Sequence, residues 1–156
     1  MNQLSSLTYE ILELPFHRDA TESVKNVFGT DLGKVSIYPV YVSFKTKNGW
    51  TGLNRMIYDT GAVVSLLPSS YYGLLGVEKH ASAKLGGVTP ETRLRVRLAN
   101  IRFRFADLNE NISPELDAWF AIAERDDVPR IIGLKDINAT HKLVVDAKSG
   151  IFSLEF

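Results

Sequence analysis

Apolar and β-branched residues come in short runs along this chain, separated by turn-forming residues, and that spacing predicts strands rather than long helices. Val35 to Phe44 (VSIYPVYVSF) is the richest run. Its Pro39, which has no N–H for a ladder, points to an edge position or a bulge. Asn48-Gly49 is a strong turn signal ahead of a second strand, Met56-Ile57-Tyr58. Arg93 to Phe105 alternates on both sides of Ala99-Asn100, as Leu94, Val96, Leu98 and then Ile101, Phe103, Phe105. A two-residue turn at Ala99-Asn100 would gather Arg93, Arg95, Arg97, Arg102 and Arg104 on one sheet face. It would also set Arg97 opposite Arg102, a repulsive pairing, so a bulged continuous strand is the competing form. Trp119 to Ala123 and Leu143 to Val145 read as buried strands, with the short apolar pair Ile131-Ile132 between them, closed by Gly133. Ser149-Gly150 turns the chain into a last strand, Ile151 to Phe156, whose Phe152, Leu154 and Phe156 share one face and call for a partner. Helix is confined to Tyr71–Leu75, opened by Pro68-Ser69-Ser70 and stopped by Gly76, and to Asp136–Thr140. The expected fold is mainly β: a single barrel-like domain with one or two short helices.

Composition narrows the function classes. A chain of 156 residues is enough for one domain with a self-sufficient core. Lys plus Arg (18) equals Asp plus Glu (18), so no overall field draws in nucleic acid or an anionic membrane, and the arginine set reads as a solvated outer face. There is no Cys, which excludes disulfides, thiolate metal sites and cysteine nucleophiles together. His17, His80 and His141 are isolated, lack metal-ligand spacing and are expected at the surface; no metal or cofactor is expected. Gly29 to Lys34 falls one residue short of a phosphate-binding loop and reads as a turn, and no Gly-x-Ser-x-Gly occurs. Met1 to Ser6 is polar, and no apolar run approaches the roughly 20 residues of a membrane helix. A cytoplasmic protein is the expectation.

The chemistry concentrates at Asp59-Thr60-Gly61-Ala62, directly after an apolar strand and ahead of Ser65-Leu66-Leu67-Pro68. A carboxylate at the end of a buried strand is costly unless it is hydrogen-bonded or shares a proton. A glycine two residues on removes a Cβ and lets backbone amides approach it. The intervening hydroxyl can lock the loop. Taken alone, the triplet also suits an ordinary strand-to-turn junction.

The longer string Met56 to Pro68 (MIYDTGAVVSLLP) resembles the active-site region of retropepsin-like, retroviral-type aspartic proteases. About 70 residues downstream, Ile131-Ile132-Gly133 is similar to that family's second signature, which packs behind the catalytic loop. Leu85-Gly86-Gly87-Val88 sits where the family has the Gly-rich tip of its flap hairpin. The resemblance implies a retropepsin-like acid-protease barrel over residues 31–156, with residues 1–30 an N-terminal extension of unknown role. Viral members carry a carboxylate after the Ala and an Arg after the signature Gly, and these pair. Here the positions hold Val63 and Leu134, so packing could replace the ion pair.

The resemblance also implies a mechanism. Aspartic proteolysis needs two carboxylates, one acting as base toward water and one as acid toward substrate. This chain has a single Asp-Thr-Gly; Asp31-Leu32-Gly33 lacks the hydroxyl and the preceding apolar strand. The second carboxylate is therefore expected from Asp59 of a twofold-related chain, with Thr60 bonding across the dimer, and a peptide or protein as substrate. A non-catalytic dimerisation or peptide-binding module on the same fold is the alternative, because fold does not set activity. A basic-faced nucleic-acid binder would rest on the arginines alone.

Overall fold

A computed structural model describes residues 6–15, 34–86 and 93–156. Along them run β1 (Ser6–Glu10), β2 (Leu12–Pro15), β3 (Lys34–Ile37), β4 (Pro39–Thr46), β5 (Gly49–Trp50), β6 (Asn54–Tyr58) and β7 (Ser65–Leu67). The helix α1 (Ser70–Leu74) follows, then β8 (Ala81–Gly86), β9 (Arg93–Ala106), β10 (Leu116–Ala123), β11 (Ile131–Ile132), β12 (Lys142–Asp146) and β13 (Ile151–Glu155). The largest sheet has the order β5-β4-β6-β11-β7-β10-β9-β8. An additional pairing joins β4 and β9, each next to an end of the sheet, so β4, β6, β11, β7, β10 and β9 close into a six-stranded barrel. The fold is mainly β, as the strand pattern predicts.

The barrel closes around an aromatic and aliphatic core. Phe44, Phe103, Phe105 and Phe120 are fully buried, with Met56, Leu67, Ile122, Ile132 and Ile137. Phe120 meets Phe103 and Phe44 edge-on at ring-centroid distances of 5.3 and 5.8 Å. Truncating one such ring to Ala costs about 3–5 kcal/mol. Pro39 stands first in β4, where a missing N–H is tolerated. The β4–β5 turn is Lys47-Asn48, one residue earlier than Asn48-Gly49; Gly49 opens β5 with φ +116°, a backbone that side chains resist.

Two expectations are corrected, and one alternative is decided. First, of the two forms open at Ala99-Asn100, the chain takes the continuous strand and not the turn. β9 runs unbroken for 14 residues, pairing with β8 through Leu98, with β10 from Val96 to Phe103 and with β4 from Phe103 to Ala106. Its burial shifts phase at Leu98–Ala99 because one strand serves both the hairpin and the barrel. Arg93, Arg95 and Arg97 therefore share parity with Ile101 and Phe103, while Arg102 and Arg104 lie on the other face. The side chains are also engaged locally. Arg102 forks onto Asp117 at 3.0 and 3.1 Å, Arg97 lies 4.3 Å from the Tyr72 ring centroid, and Arg104 lies 4.2 Å from that of Trp50.

Second, Asp136 to Thr140 forms turns instead of a helix: Asp136 has φ +65°, which breaks the helical path. Third, the last strand finds its partners within its own chain. β13 is the central strand of a three-stranded sheet, β1-β13-β12, and Phe152 and Leu154 are buried there. Ser6–Glu10, expected to lie in an N-terminal extension, pairs with it from Ser6↔Glu155 to Glu10↔Ile151, and Leu7 and Tyr9 enter the core. Asp31, Leu32, Gly33 and His17 lie outside the described residues.

Candidate active site

β6 delivers Asp59. The strand is held between β4, antiparallel, and β11, parallel, with Met56 and Tyr58 buried. Tyr58 N donates to Tyr38 O at 2.8 Å and Asp59 N to Ile132 O at 2.9 Å, so the backbone is pinned on both sides up to the carboxylate. There the chain turns sharply, with Ala62 N donating to Asp59 O at 3.1 Å. Gly61 N donates to Asp59 Oδ1 at 2.8 Å. A Cβ on residue 61 would sit 3.2 Å from that same oxygen, so any side chain there would crowd the carboxylate it serves.

The loop is fastened from beneath by the chain after β11. Leu134 N donates to Ala62 O at 3.0 Å and Lys135 N to Val63 O at 2.8 Å. Gly133 N donates to the fully buried Ser65 Oγ at 2.9 Å. A Cβ on Gly133 would come within 2.6 Å of the Val64 carbonyl and 2.9 Å of Ala62 O, a contact that only glycine avoids. Backbone hydrogen bonds thus link the two segments. Side-chain packing between Val63 and Leu134 does not, since Val63 is 78% exposed.

Asp59 is half-buried, and Thr60 and Gly61 are exposed. Thr60 borders a hollow of about 160 Å³ shared with Tyr38, Tyr58, Leu143 and Val145. Two larger hollows, of about 510 and 500 Å³, lie at Leu12–Ile57–Arg130 and at Lys45–Val77–Trp119, and neither includes Asp59. Among the described residues no group of three His, Cys, Asp or Glu is placed to hold a metal ion, and no helix is long and apolar enough to cross a membrane.

Of the residues singled out in the sequence, Asp59 to Ala62 and Ile131 to Gly133 come together at this loop. Leu85 and Gly86 end β8, paired with Leu94 and Arg93 in the β8–β9 hairpin, while Gly87 and Val88 lie outside the described residues.

One neighbour of the site had no signal in the sequence. His141, expected at the surface, is half-buried beside Phe105 and Phe156. Its Nε2 lies 2.8 Å from the Tyr58 hydroxyl and its Nδ1 2.9 Å from Thr140 Oγ1. Thr140 gives its own proton to Ile137 O at 2.6 Å, so it accepts from Nδ1–H and leaves Nε2 to accept from Tyr58. Burial lowers the imidazole pKa and raises that of the Tyr58 phenol, both of which favour this neutral pair. The contact spans 83 residues, and no local pattern encodes it.

No family model matches the chain, and no curated protein does. Among solved structures it is similar to EIAV protease in complex with an inhibitor, at 20% identity and a TM-score of 0.42, covering 70% of this chain and 93% of that one. It is also similar to a retropepsin-like aspartic protease from Rickettsia conorii, at 13% identity and a TM-score of 0.46, covering 100% of this chain and 97% of that one.

Proposed function

We propose that this chain is one half of a homodimeric aspartic endopeptidase, with Asp59 as its catalytic carboxylate. The observation that carries the reading is local: Asp59 stands at the mouth of a buried strand, on a rigid loop, with its carboxylate accepting, among the described residues, only the Gly61 amide. A carboxylate held this firmly and left this open is suited to receive water and a second carboxylate. One chain carries one such group, so the partner subunit's Asp59 supplies the other.

In this mechanism the pair shares a proton. The ionised member takes a proton from water as it attacks the scissile carbonyl, and the protonated member donates to the carbonyl oxygen. Collapse of the tetrahedral intermediate returns protons to the leaving amine and to the pair. Thr60, exposed and without a hydrogen-bond partner among the described residues of its own chain, bonds across the dimer. The Leu85-Gly86 end of β8 belongs to a flap that covers an extended peptide through strand-like hydrogen bonds. Ile131, Ile132 and Gly133 support the loop, and a cytoplasmic setting belongs to the same proposal.

The experiment is cleavage of a diverse peptide library by wild-type protein and by Asp59→Asn, with sedimentation run on both. Asp59-dependent cleavage by a dimer is expected; cleavage that survives in Asp59→Asn moves the active site elsewhere. The exposed Val63 favours a second reading, a non-catalytic peptide-binding dimer, in which both proteins bind peptides alike and neither cleaves them.

A further inference from the structure

A second chain must dock along a surface that leaves both Asp59 loops facing one cleft. The sheet β1-β13-β12 has two outer edges, and they differ. β1 is stitched to the barrel: Thr8 N donates to Asp107 Oδ2 at 3.3 Å and the Tyr9 hydroxyl to Ala106 O at 2.8 Å. β12 pairs with β13 on one side and, among the described residues, with no strand on the other. Its Val145 is 43% exposed. A free edge rich in β-branched residues is an association hazard unless something covers it. Leu143 and Val145 also border the hollow that contains Thr60, so whatever pairs with this edge arrives beside the Asp59 loop.

The sequence of β12 specifies its own partner. Lys142-Leu143-Val144-Val145-Asp146 reads as self-complementary when a second copy is laid antiparallel about Val144. Lys142 then faces Asp146 of the partner subunit, Leu143 faces the partner's Val145, and the twofold axis passes through Val144. The ion pair forms twice, once on each side of the axis. Lys142 already contacts Glu155 at 3.2 Å and Asp146 accepts from Ser149 N at 3.1 Å. Both groups keep hydrogen-bonding capacity, three donors on the ammonium and several lone pairs on the carboxylate. Resting on the protease reading above, we infer that two copies join through β12, antiparallel about Val144, and that this seam brings the two Asp59 loops together.

The absence of Cys makes the seam directly testable by single-cysteine crosslinking. Directly opposed residues of an antiparallel pair have Cα atoms about 4.5–5.5 Å apart, within the roughly 4.4–6.8 Å that a disulfide spans. Mild oxidation is expected to crosslink Val144→Cys in high yield and to leave Lys142→Cys and Asp146→Cys uncrosslinked. In sedimentation, Lys142→Asp is expected to shift the protein toward monomer, and Lys142→Asp combined with Asp146→Lys to restore the dimer. The melting temperature of reduced Val144→Cys verifies its fold, and the charge-swap pair tests the seam independently of any cysteine. An uncrosslinked Val144→Cys in a dimer that cleaves peptide in an Asp59-dependent way overturns the seam and leaves the protease reading standing. Crosslinking at Val144 without Asp59-dependent cleavage keeps the seam and removes the protease reading. A wild-type protein that is monomeric at every concentration overturns both.

Discussion

Asp59 and Asp107 each follow directly on a buried strand, β6 and β9, and each begins a turn, yet the molecule treats them in opposite ways. Asp107 is 2% exposed and accepts from Asn109 N at 2.9 Å, Asn111 N at 3.0 Å, Asn111 Nδ2 at 2.9 Å and Thr8 N at 3.3 Å. Burial alone would raise its pKa. The hydrogen bonds from Asn111, Thr8 and Asn109 outweigh burial and hold it below the ordinary value. Asp59 is half-buried and, among the described residues, accepts one amide. The difference separates two uses of one side chain. Where the chain's own donors occupy the lone pairs, the carboxylate is a fastener; where they stay open on a rigid support, it is available for chemistry.

The sharpest way to break the comparison is to neutralise each aspartate in turn. Asp59→Asn should lower kcat/KM by about 10³-fold or more while leaving stability within about 0.5 kcal/mol, measured by peptide cleavage and by urea unfolding. Asp107→Ala should do the reverse: about 3 kcal/mol of lost stability, because Thr8, Asn109 and Asn111 lose their acceptor, with cleavage retained at temperatures where the variant is folded.

The pH dependence follows from the same depressed pKa. A carboxylate with a folded pKa below its unfolded value contributes stability that is complete above the unfolded value, here 3.8, and lost as pH falls through the folded one. Wild-type unfolding free energy should therefore drop below about pH 4, and Asp107→Asn should flatten that part of the curve.

Gly133→Ala probes the support beneath Asp59. With the Val64 carbonyl 2.6 Å from the new Cβ, it should cost about 1–3 kcal/mol and reduce cleavage more than Thr60→Ser does. Thr60→Val should weaken the dimer by roughly 0.5–1.5 kcal/mol per side, read from the sedimentation equilibrium constant. The smallest effect is expected at Ala62, which offers no hydroxyl to the neighbouring carboxylate. Ala62→Ser should move the acidic limb of the kcat/KM profile toward lower pH, since an added donor favours the ionised carboxylate. An unmoved limb would show that a hydroxyl there does not reach Asp59.

The Asp59 loop was legible in the sequence because its signals are local: an apolar strand, a carboxylate, a hydroxyl and a glycine in consecutive positions. Gly133 was legible for a similar reason, an apolar pair closed by a residue without a Cβ. The arginine face stays open in the sequence because a phase shift in alternation has two causes, a turn or a strand that changes its surroundings midway. Only the pairing of β9 with three different strands distinguishes them. Asp107 did carry a local signal, asparagines spaced so that their amides return to one carboxylate, but the same residues suit any exposed loop. His141 and β1 carried none, since their partners lie 83 residues away and at the opposite end of the chain.

That last pairing bears on how the molecule is made. β1 sits against β13, so the first strand described has no ladder to join until residues 151–155 have been synthesised. Leu7 and Tyr9 lack the β13 side of their surroundings until those residues emerge, while the barrel strands between them and β13 can begin to pair. Contacts of such long sequence separation slow folding, because the loop they close must be ordered before they form. A ribosome-bound chain halted before Ile151 should thus hold a partly assembled barrel with an exposed leading segment, the stage most open to chaperones and proteases.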